Sequence, residues 1–460
     1  MPDPLDPFFH PHTVAVVGVS RQPKKVGNVV FRNFINSEQF EGRVFPVTRS
    51  SKEILGHKAY RTVKELPEIP DLTIITTPAN YASMLLEEAA QKGSKAAIIV
   101  AGGFSEIGDE GKEREKRIKK IVKDYEIRVI GPNCLGVFDS FSGVDTLFLP
   151  PYRLIRPPQG HISFISQSGG YGSAILSWCA RLGIGISKFV SFGNRVDVDE
   201  VDLLRYLKND SKTKTITHYL ESWNRGKTWI EEAAELVDKK PIVFLKGGET
   251  PAGVRAAISH TGAVIRTEQL SLFRRIFKQK GIVRASDGTE LFDLARALSY
   301  LPSPRGSGIG VITNAGGIGV LTTDLLSNQG LQLAELAPRS LELLERKLPP
   351  ECAKTNPCDL VGDADAERYR IALDVFIADP NVHAINVIIL PQTSFVDLDI
   401  VDLLMEETAK GKPIVVTTIG GTFVDTLIRM LEEVRIPAYP GPGRTVKVLK
   451  ALLQRARRYG

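Results

Sequence analysis

The chain has 460 residues and a formal net charge of +6, from 59 Lys and Arg against 53 Asp and Glu. Hydrophobic residues make up 43% and charged residues 24%, a composition that excludes a disordered chain, and no run approaches the ~20 apolar residues of a membrane-spanning helix. The small basic surplus forms no dense tract, which argues against nucleic acid and suits a protein that handles phosphates.

The first ten residues carry Pro and Asp in place of a basic start, so no signal peptide is expected. Short apolar runs then alternate with amphipathic stretches. Thr13–Gly18, Arg43–Val47, Leu72–Thr76, Ala96–Ala101 and Arg128–Ile130 are predicted strands, and Ala79–Lys92 and Asp109–Lys123 predicted helices. Strand followed by helix, repeated, implies a parallel sheet with right-handed crossovers. Glu113/Arg117 and Glu115/Lys119 in the charged stretch read as i,i+4 pairs on a solvated helix face. The Pro-rich stretch Leu149–Pro158 opens a second unit, with strands near His161–Ile165, Ser187–Phe192, Thr215–Leu220, Pro241–Leu245 and Ile282–Val283. After the Pro/Ser/Gly stretch Leu301–Gly308 come strands near Gly308–Thr313, His383–Leu390 and Pro413–Thr418. Three α/β domains are expected, over 1–148, 149–301 and 307–460, each of ordinary size.

Chemistry should lie where these strands end, because open α/β sheets bind ligands at their carboxyl ends. The first strand runs through Gly18 and Ser20 to Lys25 and Gly27, before a helix expected from Asn28. This turn aims backbone N–H groups at an anion, but it departs from the GxGxxG dinucleotide pattern. The second strand ends at Val47 and is followed by Arg49, where an NAD site carries an acidic residue. A basic residue there fits a ribose that bears a phosphate, as in coenzyme A. Thr77-Pro78, Gly103-Phe104 and Asn133 at further strand ends extend the cleft. Ser166-Gln167-Ser168-Gly169-Gly170, before a helix expected from Ser173, reads as an anion nest, as does Asn314-Ala315-Gly316-Gly317 before a helix expected from Val320.

The four cysteines, Cys134, Cys179, Cys352 and Cys358, form no CxxC pair, which fits reduced thiols in a cytoplasm, with no metal site expected. Cys358 reads as a small buried residue. His161, His218 and His383 fall at or in strands, where a hydrogen-bonded structural role is expected. His260 differs, lying among small residues between Gly253 and Gly262. An imidazole on such a loop is exposed and is a competent nucleophile near neutral pH.

The motifs VAVVGVS…VGN, GPNCLG, SQSGGYG, KGG…SHTGA and TNAGGIGV, in this order, resemble the nucleoside-diphosphate-forming acyl-CoA synthetases, relatives of succinyl-CoA synthetase. The best match is to the α subunits of the ADP-forming acetyl-CoA synthetases, from about Leu5 to Leu453. The resemblance implies a Rossmann-like CoA-binding domain followed by two flavodoxin-like domains of the succinyl-CoA synthetase type. It implies the conversion of acyl-CoA, ADP and phosphate to acid, ATP and CoA through an acyl phosphate and a phosphohistidine. By motif match His260 is the phosphohistidine and Glu221 the carboxylate that orients it. Neither a P-loop nor an ATP-grasp pattern is found, so ADP and ATP with Mg²⁺ are expected on a separate ATP-grasp β subunit, in an α₂β₂ assembly. A non-catalytic CoA-binding regulator is the alternative, since it needs the first domain but not His260, Glu221 and the serine nest together. An NAD-dependent dehydrogenase is disfavoured by the missing acidic residue after Val47. The preferred acyl group is set by pocket side chains that no motif fixes.

Overall fold

The computed structural model describes residues 3–261, 276–277 and 279–456, with backbone alone at 258–261. Residues up to Ser286 form one compact unit and those from Asp287 another.

The first unit holds two large sheets. Thr13–Val17, Leu72–Ile75 and Ala96–Ile99 are apolar runs buried along their whole length, as strands covered by helices on both faces must be. With Arg43–Val47 and Arg128–Ile130 they form a five-stranded parallel sheet, ordered 2-1-3-4-5 along the chain. The second sheet repeats that order with Gln159–Ser166, Ile186–Ser191, Thr215–Leu220, Ile242–Lys246 and Val283–Ala285. Its far edge is Gly136–Asp139, antiparallel to Ile186–Ser191 and contributed by the chain that has just left the first sheet. Lys188 and Asp139 are opposite one another in this pairing, and the Lys188 ammonium, fully buried, pairs with Asp139 (3.0 Å) and Asp210 (3.1 Å). One apolar core runs from Phe8 and Phe9 through both sheets to Phe277.

The second unit has the same order again, built on Gly308–Thr313, Cys358–Asp359, Ala384–Ile389, Ile414–Thr418 and Ala438–Pro440. Helix Gly288–Tyr300 packs within it. Arg296, buried completely, binds Glu432 (2.7 Å) and Asp293 (2.9 Å), and Asp293 also holds Arg444 (2.6 Å). Cys358 is buried in this core, and burial pushes its thiol up to about 12, so it is inert.

Three helices begin earlier than expected, at Val26, Gly169 and Gly316. Their glycines, which read as loop, form the first helical turn, where N–H groups need no intrahelical partner. A side chain at Gly172 would strike the Phe189 ring (2.7 Å), so glycine lets this helix lie against the sheet. The stretch around His260 is likewise helical, over Pro251–Thr261. Pro251 suits the first helical position, and Ala252, Ala256 and Ala257 favour propagation. The exposed-loop expectation is thereby corrected for the backbone; the His260 side chain lies outside the described residues.

The charged helix Asp109–Tyr125 carries ion pairs on its solvated face, but between other residues than expected: Glu110 with Arg114 at the i,i+4 spacing, and Asp109 with Lys112 (2.9 Å) and Glu113 with Lys116 (2.5 Å) at i,i+3. Glu115 instead turns inward, 8% exposed, and accepts from the Ser105 N–H and the Asn194 amide.

His218, in Thr215–Leu220, is buried beside Trp229 and neither ring nitrogen has a hydrogen-bond partner among the described residues, contrary to the hydrogen-bonded role expected for it. Burial pulls its pKa from 6.5 down to about 3. The unfolded chain therefore binds this proton first, and stability present above pH 6.5 is lost as pH falls from 6.5 toward 3. The loss should reach about 2 kcal/mol at pH 5. In urea titrations between pH 7 and 5, His218→Leu is expected to decline less than the parent by that amount; parallel declines would refute the assignment.

Candidate active site

In a 2-1-3-4-5 sheet the chain reverses direction between strands 1 and 3, and the crevice opens there. In the first sheet this point joins Gly18 to Thr76 and Thr77. Gly18, at φ +94°, donates its N–H to the Val47 carbonyl (2.9 Å). A Cβ on Gly27 would lie 2.6 Å from the Gly18 carbonyl oxygen, so the helix beginning at Val26 rests directly on the turn. Ser20 closes the turn, its hydroxyl accepting from Gln22 N–H and its carbonyl from Asn28. Lys25 and Arg49 are exposed and Pro78 precedes helix Ala79–Lys92. Thr77 keeps a buried hydroxyl with no hydrogen-bond partner among the described residues. The expected residues Gly18, Ser20, Lys25, Gly27, Val47, Arg49, Thr77 and Pro78 thus gather around one strand-end crevice.

Gly103 and Phe104 do not belong to this set in the expected way. Both N–H groups donate to the Glu106 carboxylate (2.5 and 3.1 Å), and the Phe104 ring is wholly buried in the core. Burial works against ionisation of Glu106, but the Asn194 amide and these N–H groups outweigh it and hold the carboxyl below the usual range. The turn therefore carries its own internal anion.

A cavity of about 370 Å³ lies between the carboxyl ends of the two sheets of the first unit. It is lined by Asn133, Ser168, Gly169, Gly170, Ser173 and Asn194 on the polar side. Asn133, at φ +57°, donates from Nδ2 to Asn194 Oδ1 (3.3 Å), and Asn194 donates in turn to Glu106 (2.7 Å) and Glu115 (2.8 Å). Gly193 carries this loop at φ +55°. A Cβ there would fall 2.2 Å from the Asn133 carbonyl oxygen, so no side chain is tolerated. Ser168 caps helix Gly169–Leu182 by accepting from the Tyr171 N–H (3.3 Å), leaving the Gly169 and Gly170 N–H groups directed at the helix entrance.

Ser166 and Gln167 also hold the turn itself in place, and Gln167 lines the same cavity. Ser166 is buried and donates to the Ser168 carbonyl (2.7 Å), which shapes the turn. Gln167 Oε1 accepts from the N–H groups of Glu221 (2.8 Å) and Ser222 (3.1 Å), and its own N–H is spent on the Tyr219 carbonyl. Gln167 therefore clamps strand 1 to strand 3 at the switch point and places Glu221 beside the nest. The second unit uses the same device, with the Asn314 amide bridging both backbone groups of Leu390.

Glu221 is 6% exposed and accepts from the Tyr219 hydroxyl (3.1 Å). The buried Arg195 guanidinium fixes the following residue through the Ser222 carbonyl (2.9 Å) and hydroxyl (2.7 Å), and is itself paired with Glu200 (3.0 Å). Lys246, at the end of Ile242–Lys246, donates to the Glu221 carbonyl (2.7 Å) and sits over the Trp223 ring. Burial pulls its pKa down to about 8, against the pull of Glu249 and Glu221. The chain then continues through Gly247 and Gly248 into Pro251–Thr261, whose backbone packs by the Ser105–Ile107 turn.

The sequence matches the CoA binding domain family over residues 12–139, the succinyl-CoA ligase like flavodoxin domain over 159–298 and the Ligase-CoA domain over 309–460. It is 38% identical to acetate–CoA ligase (ADP-forming) I subunit alpha of Pyrococcus furiosus, over 97% of both chains. The chain belongs to the family of ADP-forming acetate–CoA ligase α subunits. Acetate–CoA ligase (ADP-forming) of Methanocaldococcus jannaschii, 37% identical, is a longer protein: the match spans 96% of this chain and 62% of that one. Among solved structures, acetyl-coenzyme A synthetase 1 of Candidatus Korarchaeum cryptofilum, in complex with phosphate and ADP, superposes with a TM-score of 0.90 at 34% identity, over 98% and 97% of the two chains.

Several residues of this constellation escaped the sequence reading. Asn194 sits just after the strand Ile186–Ser191, where the strand-end rule would have found its Gly-Asn turn. Arg195, Ser222 and Lys246 act through buried contacts that no local pattern announces.

Proposed function

We propose that the chain is the α subunit of an ADP-forming acyl–CoA ligase and carries the acyl and phosphoryl chemistry of that enzyme. The carrying observation is the clamp of Gln167 on Glu221, which joins the family carboxylate to the helix entrance at Ser168–Gly170. CoA lies along the first sheet's crevice, with Lys25 and Arg49 near its phosphates and the thioester reaching toward Asn133. A phosphate oxygen attacks the thioester carbonyl, the C–S bond breaks, and CoA leaves as its thiol after taking up a proton. The Gly169 and Gly170 N–H groups, with the Ser168 hydroxyl, bind the phosphoryl oxygens through a helix start that favours negative charge. An imidazole nitrogen of His260 then attacks phosphorus, and the P–O bond to the acyl group breaks, releasing the carboxylate. The Glu221 carboxylate, at the other ring nitrogen, stabilises the positive charge that develops.

Passage of the phosphoryl group to ADP, with Mg²⁺, belongs to an ATP-grasp β subunit in an α₂β₂ assembly. The subunit names of the relatives support a separate partner. The four buried, unbridged cysteines support a cytoplasmic setting.

The test is to incubate the isolated chain with acetyl-CoA and radiolabelled phosphate. Acid-labile label on residue 260, with stoichiometric CoA release and none in His260→Ala, is expected. Label that persists in His260→Ala, or none in the parent, overturns the proposal.

A further inference from the structure

We propose that Tyr219 is a positioning residue for phosphoryl transfer, its hydroxyl setting the direction in which the Glu221 carboxylate meets the imidazole; this rests on the phosphohistidine reading above. Tyr219 lies at the end of strand Thr215–Leu220 and Glu221 just beyond it. Residues two apart on a strand project from the same face of the sheet. The phenol therefore reaches the carboxylate, and it donates to Oε1 at 3.1 Å.

The neighbours of this hydrogen bond hold it in place. The Tyr219 ring lies against the Tyr171 ring, with centroids 4.3 Å apart. Tyr171 belongs to the first turn of helix Gly169–Leu182, and its own N–H donates to the Ser168 cap. Two rings thus bridge the helix start that receives the phosphoryl oxygens and the carboxylate that receives the imidazole. Gly247 packs on the same pair. A Cβ there would fall 2.7 Å from the Tyr219 hydroxyl and 3.2 Å from the Glu221 Cγ, so glycine lets the backbone close over the bond. Lys246 fixes that backbone by donating to the carbonyls of both Glu221 and Gly247. Burial and the Glu221 charge push the phenol above its ordinary range, so at neutral pH it keeps its proton and donates.

The other contacts of Glu221 act on its backbone, Gln167 at the N–H and Lys246 at the carbonyl. The Tyr219 hydroxyl acts on the carboxylate itself. A glutamate side chain has several rotatable bonds, and each costs entropy to fix. Without the hydroxyl the carboxylate spreads over orientations of which few face the ring. The rate then falls through loss of the productive geometry, with substrate binding untouched.

Labelling of residue 260 from acetyl-CoA and radioactive phosphate should be timed by rapid quench in the parent, Tyr219→Phe, Glu221→Gln and the double variant. Tyr219→Phe keeps the ring and its stack. It is expected to lower the maximal labelling rate about tenfold and to leave the half-saturating concentrations of acetyl-CoA and phosphate unchanged. In the Glu221→Gln background the same substitution should cost no more than about twofold, because the group it acts through is gone. A full tenfold loss in that background, or a shifted half-saturation, would mean that the hydroxyl meets the substrate directly, and overturns the proposal. A Tyr219→Phe rate within about twofold of a normally labelled parent also overturns it and leaves the phosphohistidine reading standing. A parent that takes up no label overturns both. If Tyr219→Phe does not fold, Gly247→Ala, which drives the hydroxyl off Glu221 and keeps the ring, replaces it under the same criteria.

Discussion

Glu221→Gln is expected to slow phosphorylation of His260 from acetyl-CoA and phosphate by about 10²- to 10⁴-fold. Glutamine preserves the shape of a side chain that is 6% exposed and held by the clamp of Gln167 on its backbone. The change therefore acts on charge and proton preference. A carboxylate only accepts, so it fixes the N–H on the facing ring nitrogen and leaves the other free to attack. An amide presents either a donor or an acceptor, and it cannot balance the positive charge of the phosphorylated ring. Rapid-quench labelling with radioactive phosphate measures the step, and the urea midpoint of the same sample separates it from unfolding. A rate within about threefold of the parent, in a folded variant, would remove Glu221 from the mechanism.

Arg296→Met should destabilise the unit from Asp287 onward by about 3–5 kcal/mol. Arg296 is completely buried, binds Glu432 and Asp293, and lies over the Tyr439 ring at 4.6 Å. Asp293 keeps Arg444 when Arg296 is removed, but among the described residues Glu432 keeps only the Tyr300 hydroxyl. The penalty is that of a carboxylate left in the interior without its cation. Arg296→Met combined with Glu432→Leu should recover most of the loss, since exchanging both partners for apolar groups is often neutral or favourable. Urea unfolding followed by hydrogen exchange in this unit checks both. A single variant within about 1 kcal/mol of the parent would mean that the cluster is not what anchors helix Gly288–Tyr300.

The strands were legible because they are covered on both faces, which turns the sequence into unbroken apolar runs such as Val14–Val17 and Ile242–Leu245. Strand-end glycines and hydroxyls were legible because parallel sheets bind ligands there. What escaped was the direction in which polar side chains point. Glu115 has the spacing of a surface ion pair yet turns inward to Asn194, and Gln167 sits in an anion-nest motif yet serves the strand beside it. Phe104 follows a glycine turn and is pure core. His260 looked like loop because glycines bracket it, whereas Pro251 and three alanines wind its backbone into a helix. The cases of Glu115, Gln167 and Phe104 are decided by contacts between residues far apart in sequence, which no window of neighbouring residues contains; that of His260 turned on local helix signals outweighing its glycines.

The strand Gly136–Asp139 leaves the first sheet and closes the edge of the second, with a buried lysine salt-bridged across the pairing. Neither sheet is then free to melt on its own schedule: peeling the first away strips the second of a hydrogen-bonded border and strands an ammonium in the interior. A ligand that binds the leading crevice of the folded chain would therefore, by mass action, be expected to raise the resistance of the whole stretch as far as Ser286 to denaturant, and not that of the first sheet alone.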